Sequence, residues 1–277
     1  MRNSLLDVNS DVFGICTIDL ETLSAPPSYQ YTLSSFKQFL PRLQHQGFRI
    51  CFHQDVGIDK QLGMSAAITV ALCSAFYHYI HGHLNLEDIC QLACQAVSSV
   101  QVHSSCADVI ASIYGGVIRY VMKFSDCPAR RQRLWADLPI FAVYSGYITS
   151  ESIAMHRGLM REKTHPAIYD KIRTEIGDLS HTFFSEIKND NPKELGKLLQ
   201  LGDDFFNTYE VHTKETRDIT DRLKTLRTVY GAKISGAGLG GCVIGLGVVN
   251  PSDLDPYEVI PLSIDDVGVR LDPRIVR

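Results

Sequence analysis

The sequence predicts an α+β protein in two parts, and three observations carry that expectation. Strand-like runs at 11–20 and 48–56 lie near the start, while helical segments between 150 and 230 follow one another unbroken before strands return at 232–235 and 242–246. Strands and helices grouped in this way point to α+β packing. A polar, basic stretch at 125–133 divides the chain into segments 1–133 and 134–277. With 277 residues and 45% hydrophobic content, there is apolar material for one large core or for two packed together.

Each element has a local reason. Asp11 to Leu20 has strand character until Ser24-Ala25-Pro26-Pro27-Ser28 breaks it. Leu33, Phe36, Phe39, Leu40 and Leu43 recur at helical spacing and stop at Gly47. Phe48, Ile50 and Phe52 alternate with Arg49, Cys51 and His53, the period of a strand over 48–56. Residues 63–77 are apolar nearly all round, as in a central buried helix. Asn85 caps a helix over 86–98, with Glu87 and Asp88 at its positive end. A short helix, 109–114, then runs into Gly115-Gly116 and a strand at 117–122. The second part opens with a strand at 138–144. Helices follow near 150–161, 167–188, 192–209 and 215–230, the third starting at an Asn191-Pro192 cap. A last strand, 257–262 or 267–271, closes the second sheet.

Composition narrows the function. The net charge of −4, from 27 basic and 31 acidic residues, offers no basic excess for nucleic acid. Residues 1–7 contain no apolar signal-peptide core, and no apolar run reaches membrane-spanning length, so a cytoplasmic protein without a membrane partner is expected. The eight cysteines contain no Cys-x-x-Cys pair, which argues against zinc and against a disulfide framework. Cys90 and Cys94, one helical turn apart, read as small buried hydrophobes. His78, His81 and His83 read as surface histidines, since no carboxylate is spaced to join them.

Three segments carry chemistry. In 233–244, Gly236, Gly238, Gly240 and Gly241 lie between two apolar runs. Glycine tolerates positive φ and lets consecutive N–H groups turn toward an anion, so this is either a phosphate-cradling loop or a hairpin. The helix at 63–77 opens on Gly63-Met64-Ser65-Ala66-Ala67, small residues suited either to an anion at a helix N-terminus or to close packing. Asp108 follows Ser104-Ser105-Cys106-Ala107 and serves either as a helix N-cap or as a carboxylate ready for a substrate hydroxyl.

Together these segments resemble the galactokinase, homoserine kinase, mevalonate kinase and phosphomevalonate kinase (GHMP) superfamily, most nearly its mevalonate-pathway branch. Gln61-Leu62-Gly63-Met64-Ser65-Ala66-Ala67 is similar to the family's Gly-Leu-Gly-Ser-Ser-Ala-Ala loop. Ser105-Cys106-Ala107-Asp108 and Tyr114-Gly115-Gly116 are similar to its Ser-Gly-x-Asp segment and Tyr-Gly-Gly. Lys233 to Cys242 matches its Lys-x-Ser/Thr-Gly-Ala-Gly-x-Gly-Gly-Cys loop in full.

The resemblance implies an N-terminal domain like ribosomal protein S5 domain 2, a ferredoxin-like C-terminal domain, and ATP- and magnesium-dependent phosphoryl transfer to a small alcohol or phosphate acceptor such as mevalonate or 5-phosphomevalonate. It implies that Gln61, Leu62, Gly63, Met64, Ser65 and Ala66 hold ATP, that Ser65 helps ligate magnesium, and that Asp108 is the catalytic base. Ser105, Ser235, Gly236, Ala237, Gly238, Gly240 and Gly241 would shape the acceptor side and buttress the phosphate loop. The chain departs from the pattern where Gln61 replaces glycine, Met64 replaces serine and Cys106 replaces glycine, and no Pro-Gly-Lys segment precedes Phe48. The alternative is a degenerate kinase fold acting as a binding or regulatory subunit, its shortened first domain completed in a homodimer.

Overall fold

Leu6, Val8 and Ser10 alternate with more exposed neighbours and turn inward, so the chain begins with a strand, β1 (Leu5–Ser10). The computed structural model describes residues 5–19, 21–43, 47–54, 60–101, 104–122, 130–149 and 151–272. β1 turns at 11–13 into β2 (Gly14–Asp19), its antiparallel partner, where the Ser10 hydroxyl accepts the N–H groups of Val12 and Phe13. The single strand expected over 11–20 is thus the second arm of a hairpin. Helix α1 (Gln30–Lys37) crosses over to β3 (Phe48–Phe52), which lies parallel to β1, giving the order β2-β1-β3.

Behind this sheet stand α2 (Met64–His81), α3 (Leu86–Val100) and α4 (Ala107–Tyr114). Their apolar faces share one core with α1, in which Phe76 meets Phe36, Phe39 and Phe48 at ring separations of 5.4 to 5.6 Å. Asn85 caps α3 as expected, its side chain accepting from the N–H groups of Glu87 and Asp88. β4 (Val117–Val121) pairs with β5 (Arg130–Leu134), a strand formed within the polar stretch that sequence alone leaves without structure. Every inner residue of β5 is polar or charged, so no hydrophobic period announces it.

The second part starts with β6 (Ile140–Tyr144), followed by α5 (Glu151–Thr164), α6 (Pro166–Glu186), α7 (Pro192–Thr208) and α8 (Lys214–Thr225). β7 (Val229–Ile234), β8 (Cys242–Gly247) and β9 (Glu258–Pro261) complete an antiparallel sheet ordered β7-β8-β6-β9. That strand order is ferredoxin-like. The last helix ends earlier than its pattern suggests because Val229 and Tyr230 belong to β7. α7 crosses β7 so closely that a Cβ on Gly196 would stand 2.2 Å from the Tyr230 carbonyl oxygen. Of the two candidates for the last strand, 257–262 contains β9. The segment near 267–271 instead docks on the first part, where Val269 N–H donates to Ile113 O and Gly116 N–H to Asp265 O. No helix among the described residues is long and apolar enough to cross a membrane.

Candidate active site

Gln61 and Gly63 both adopt left-handed backbone, φ 54° and 75°, and this double reversal aims the chain into α2. Gly63 is the N-cap of α2, and no side chain caps it. The Gly63 carbonyl accepts the Ala67 N–H at 3.1 Å, so the earlier N–H groups of the first turn precede any intrahelical bond. With the helix dipole behind them they favour an anion.

The glycine loop braces this segment. A Cβ on Gly241, whose φ is 71°, would stand 2.5 Å from Gln61 Oε1, and the Cys242 thiol donates to Lys60 O at 3.2 Å. Gln61 is held from its other side, its amide donating to Thr149 O at 2.6 Å. The loop is itself fixed by the 145–147 turn: Gly241 N–H donates to Tyr147 O and Ser145 N–H to Gly241 O, at 2.7 and 3.0 Å. Leu239 N–H donates to Val211 O, which ties the loop to the start of α8. Lys60, one of two basic residues near the motifs, forms an ion pair with Glu258.

Asp108 sits in the first turn of α4, with its Cβ 3.9 Å from where a side chain on Gly63 would begin. Its carboxylate accepts the Val109 N–H at 2.9 Å, and the cap position is taken by Cys106 in left-handed backbone, φ 58°. The hydroxyls of Ser104 and Ser105 accept the N–H groups of Cys106 and Ala107 and so set the approach to the helix. Asp108 is therefore a first-turn acid on the site, not an N-cap.

A cavity of about 770 Å³ brings these pieces together: Gln61, Leu62, Gly63, Ser105, Asp108, Ser235, Gly236 and Ala237 all line it. Met64, Ser65, Ala66, Gly238, Gly240 and Gly241 are not among its lining residues, and Ala66 is fully buried in the core under the helix start. Sequence reading missed the opposite wall, where Met155, Leu159, Ile176 and Phe206 project from α5, α6 and α7. Their spacing is that of ordinary amphipathic helices, and only the packing leaves them facing a cavity. Glu162 also lines this wall; it is ion-paired with Arg173 at 3.0 Å and accepts the Tyr209 hydroxyl at 3.4 Å. Burial, and then Glu162, push the Tyr209 phenol up to about 12.

Beneath the cavity lies a second unforeseen group. Asp203 Oδ1 accepts the Ile234 N–H at 3.0 Å and stands 3.2 Å from His212 Nε2, both side chains being 1% exposed. Lys233 lies beside them, its ammonium 4.0 Å from the centre of the Phe206 ring and donating to Ile234 O at 2.8 Å. Burial lowers Lys233 to about 8, against the pull of Asp203. Ile234, the last residue of β7, is thus gripped at both its N–H and its carbonyl. Asp203 and His212 carry no sequence signal, because they come from α7 and from the turn after it.

Among the described residues, no group of three or more His, Cys, Asp or Glu is arranged to hold a metal alone. A magnesium ion here would need nucleotide phosphates as well as protein oxygens, which is its usual mode.

Solved structures share the fold. A Lin0012 protein from Listeria innocua superposes with a TM-score of 0.80 at 14% identity, over 96% of this chain and 87% of that one. The L. major mevalonate kinase in complex with R-mevalonate gives 0.71 at 16% identity, over 92% and 82%. The fold is that of the small-molecule kinases. The pattern described as GHMP kinases N terminal domain matches residues 30–116, and that described as GHMP kinases C terminal matches 183–259, so the chain belongs to the GHMP kinase family. Among its relatives, the mevalonate kinase of Thermococcus onnurineus is 28% identical over 240 residues, covering 82% of this chain. The chain spans 69% of that relative's length, and 59% of the length of the mevalonate kinase of Pyrococcus horikoshii.

Proposed function

We propose that this chain transfers the γ-phosphoryl group of ATP to the hydroxyl of mevalonate. The observation that carries this reading is the meeting of the uncapped N-terminus of α2 with Asp108 across Gly63, at the head of one cavity. Phosphoryl transfer asks a protein mainly for positioning and charge neutralisation, and these are the parts for both. The backbone N–H groups of 63–66 would hold the phosphates. Magnesium, with Ser65 and Asp108 as the protein oxygens on offer, would neutralise charge on them. Asp108 would accept the proton of the acceptor hydroxyl as its oxygen attacks. The glycine loop, braced on Gln61, would keep the phosphate segment in place.

The acceptor choice rests on charge. Among the described residues lining the cavity none is Lys, Arg or His, whereas Asp108 and Glu162 are both present. A second phosphate on the acceptor would meet Asp108 and find no cation among the described lining residues, Arg173 being already engaged by Glu162, which favours mevalonate over 5-phosphomevalonate. The kinship with mevalonate kinases supports the same pathway.

One observation favours a non-catalytic binding role instead. Gln61 fills the space over Gly241 and locks to Thr149 O, while Met64 brings no hydroxyl to the first turn of α2. Isothermal titration with Mg-ATP separates the two readings. Heat of binding at millimolar nucleotide, followed by ADP release on adding mevalonate, is expected for the kinase; no heat at that concentration sinks it and leaves the binding role.

A further inference from the structure

The candidate active-site cavity is chemically divided. Asp108, Ser105 and Ser235 bring polar side chains to it, whereas α5, α6 and α7 supply a wall of Met155, Leu159, Ile176 and Phe206. Met155 and Leu159 are i,i+4 neighbours on one face of α5 and stay 38% and 37% exposed, so these large apolar side chains line a space instead of filling the core. Ile176 and Phe206 are half-buried beside the same space. A few polar groups set against apolar walls are the usual make-up of a small-molecule pocket, the polar groups fixing orientation and the walls binding the rest of the ligand.

No cation serves this wall among the described lining residues. Arg173 is engaged by Glu162 at 3.0 Å and by Asp170. Lys233 lies against the Phe206 ring and donates to Ile234 O. A carboxylate laid on the wall would give up its water and gain no partner, a costly exchange. An alkyl group laid there gains by the same burial.

We infer that the cavity takes a second class of acceptor, uncharged branched aliphatic primary alcohols, with the hydroxyl at Asp108 and the alkyl group on the α5–α7 wall. This rests on the kinase reading. Mevalonate uses the same place only with its carboxylate kept in water, and an alcohol without that group has nothing to keep out. The transfer balances: the alcohol oxygen attacks the γ-phosphorus, the bond from that phosphorus to the bridging oxygen breaks, and ADP leaves with the electron pair. Asp108 takes the hydroxyl proton and passes it to water. One alcohol and one ATP give one phosphate monoester, one ADP and one proton. Each methylene buried on the wall adds about fourfold in affinity, so a five-carbon branched alcohol is favoured over a three-carbon straight one by roughly 15-fold.

The test gives the full chain Mg-ATP with 3-methylbutan-1-ol, propan-1-ol or mevalonate, and follows both ADP release and the phosphate ester by mass spectrometry. The expected result is an ester of 3-methylbutan-1-ol, formed with a kcat/KM no lower than that for mevalonate and about 10-fold or more above that for propan-1-ol. Leu159→Arg puts a cation on the wall at a partly exposed helix position, where arginine is a good helix former. It should move the ratio of the two kcat/KM values at least 10-fold toward mevalonate and leave the KM for ATP unchanged. Phosphorylation of mevalonate with no ester of 3-methylbutan-1-ol overturns the inference and leaves the kinase reading standing. An unchanged ratio in Leu159→Arg, or an effect confined to ATP, overturns the placing of the alkyl group on this wall. A chain that phosphorylates neither compound defeats the kinase reading and the transfer with it. Occupancy of the wall is then decided by NMR of methyl-labelled methionines, with Met155 assigned through Met155→Leu: a shift of the Met155 methyl on adding 3-methylbutan-1-ol supports it, and an unmoved signal overturns it.

Discussion

Replacing Gly241 by alanine tests the contact between the glycine loop and the segment that leads into α2. Gly241 has φ 71°, and an added Cβ would stand 2.5 Å from Gln61 Oε1 and 3.0 Å from Gln61 Cβ. Alanine held in left-handed backbone costs about 1–2 kcal/mol. Displacing the Gln61 side chain also breaks its 2.6 Å bond to Thr149 O, a further loss of about 0.5–1.5 kcal/mol. The whole effect is then about 1.5–3.5 kcal/mol of stability. In a Gln61→Gly background the second contribution has nothing to act on, and Gly241→Ala should cost only the backbone strain. Denaturant unfolding of the wild type, both single variants and the double variant should therefore reveal a coupling of about 1 kcal/mol, well outside the roughly 0.3–0.5 kcal/mol scatter of independent sites. An identical cost of Gly241→Ala in both backgrounds would refute the claim that the two loops brace each other through this pair.

Further tests address chemistry and charge. Asp108→Asn should lower turnover by about 10²- to 10⁴-fold while Mg-ATP affinity stays within error; undiminished turnover removes Asp108 from proton transfer. Gln61→Gly combined with Met64→Ser should tighten Mg-ATP binding about 10-fold, as one added hydrogen bond to a charged phosphate would do; unchanged calorimetric affinity would show that the loop does not touch the nucleotide. Lys233→Met probes the buried cluster. Lys233 titrates near 8 in the folded chain against an ordinary 10.5, so between those values the unfolded state holds the extra proton and stability rises with pH. The rise belongs to this lysine, and the stability difference between wild type and Lys233→Met should grow in favour of the wild type from pH 8 to 10. A difference independent of pH would show that Lys233 is not desolvated.

Local signals in the sequence were strong where a backbone demand or a helix end writes itself in one short stretch. Asn85 could be recognised as a cap because its side chain needs only the N–H groups two and three residues on. β5 was hidden, because Arg130, Arg131, Gln132 and Arg133 form a strand only through pairing with β4. β1 went unread for a related reason: Leu6 and Val8 give a period of two over too few residues until β2 and β3 flank them.

The sequence by itself determined the family, the small-residue opening of α2 and the glycine loop at 236–241, since each depends on close neighbours and on backbone angles that few residues tolerate. It could also nominate Asp108 through its place in a motif. Only the tertiary structure decided that Gln61 leans on Gly241, that Asp108 faces Gly63, and that helices α5 to α7 turn apolar side chains into the same cavity. It alone gathered Asp203, His212 and Lys233 at the end of β7. Those juxtapositions join residues distant in the chain. Their energies depend on distance and burial, which no local pattern of residues encodes.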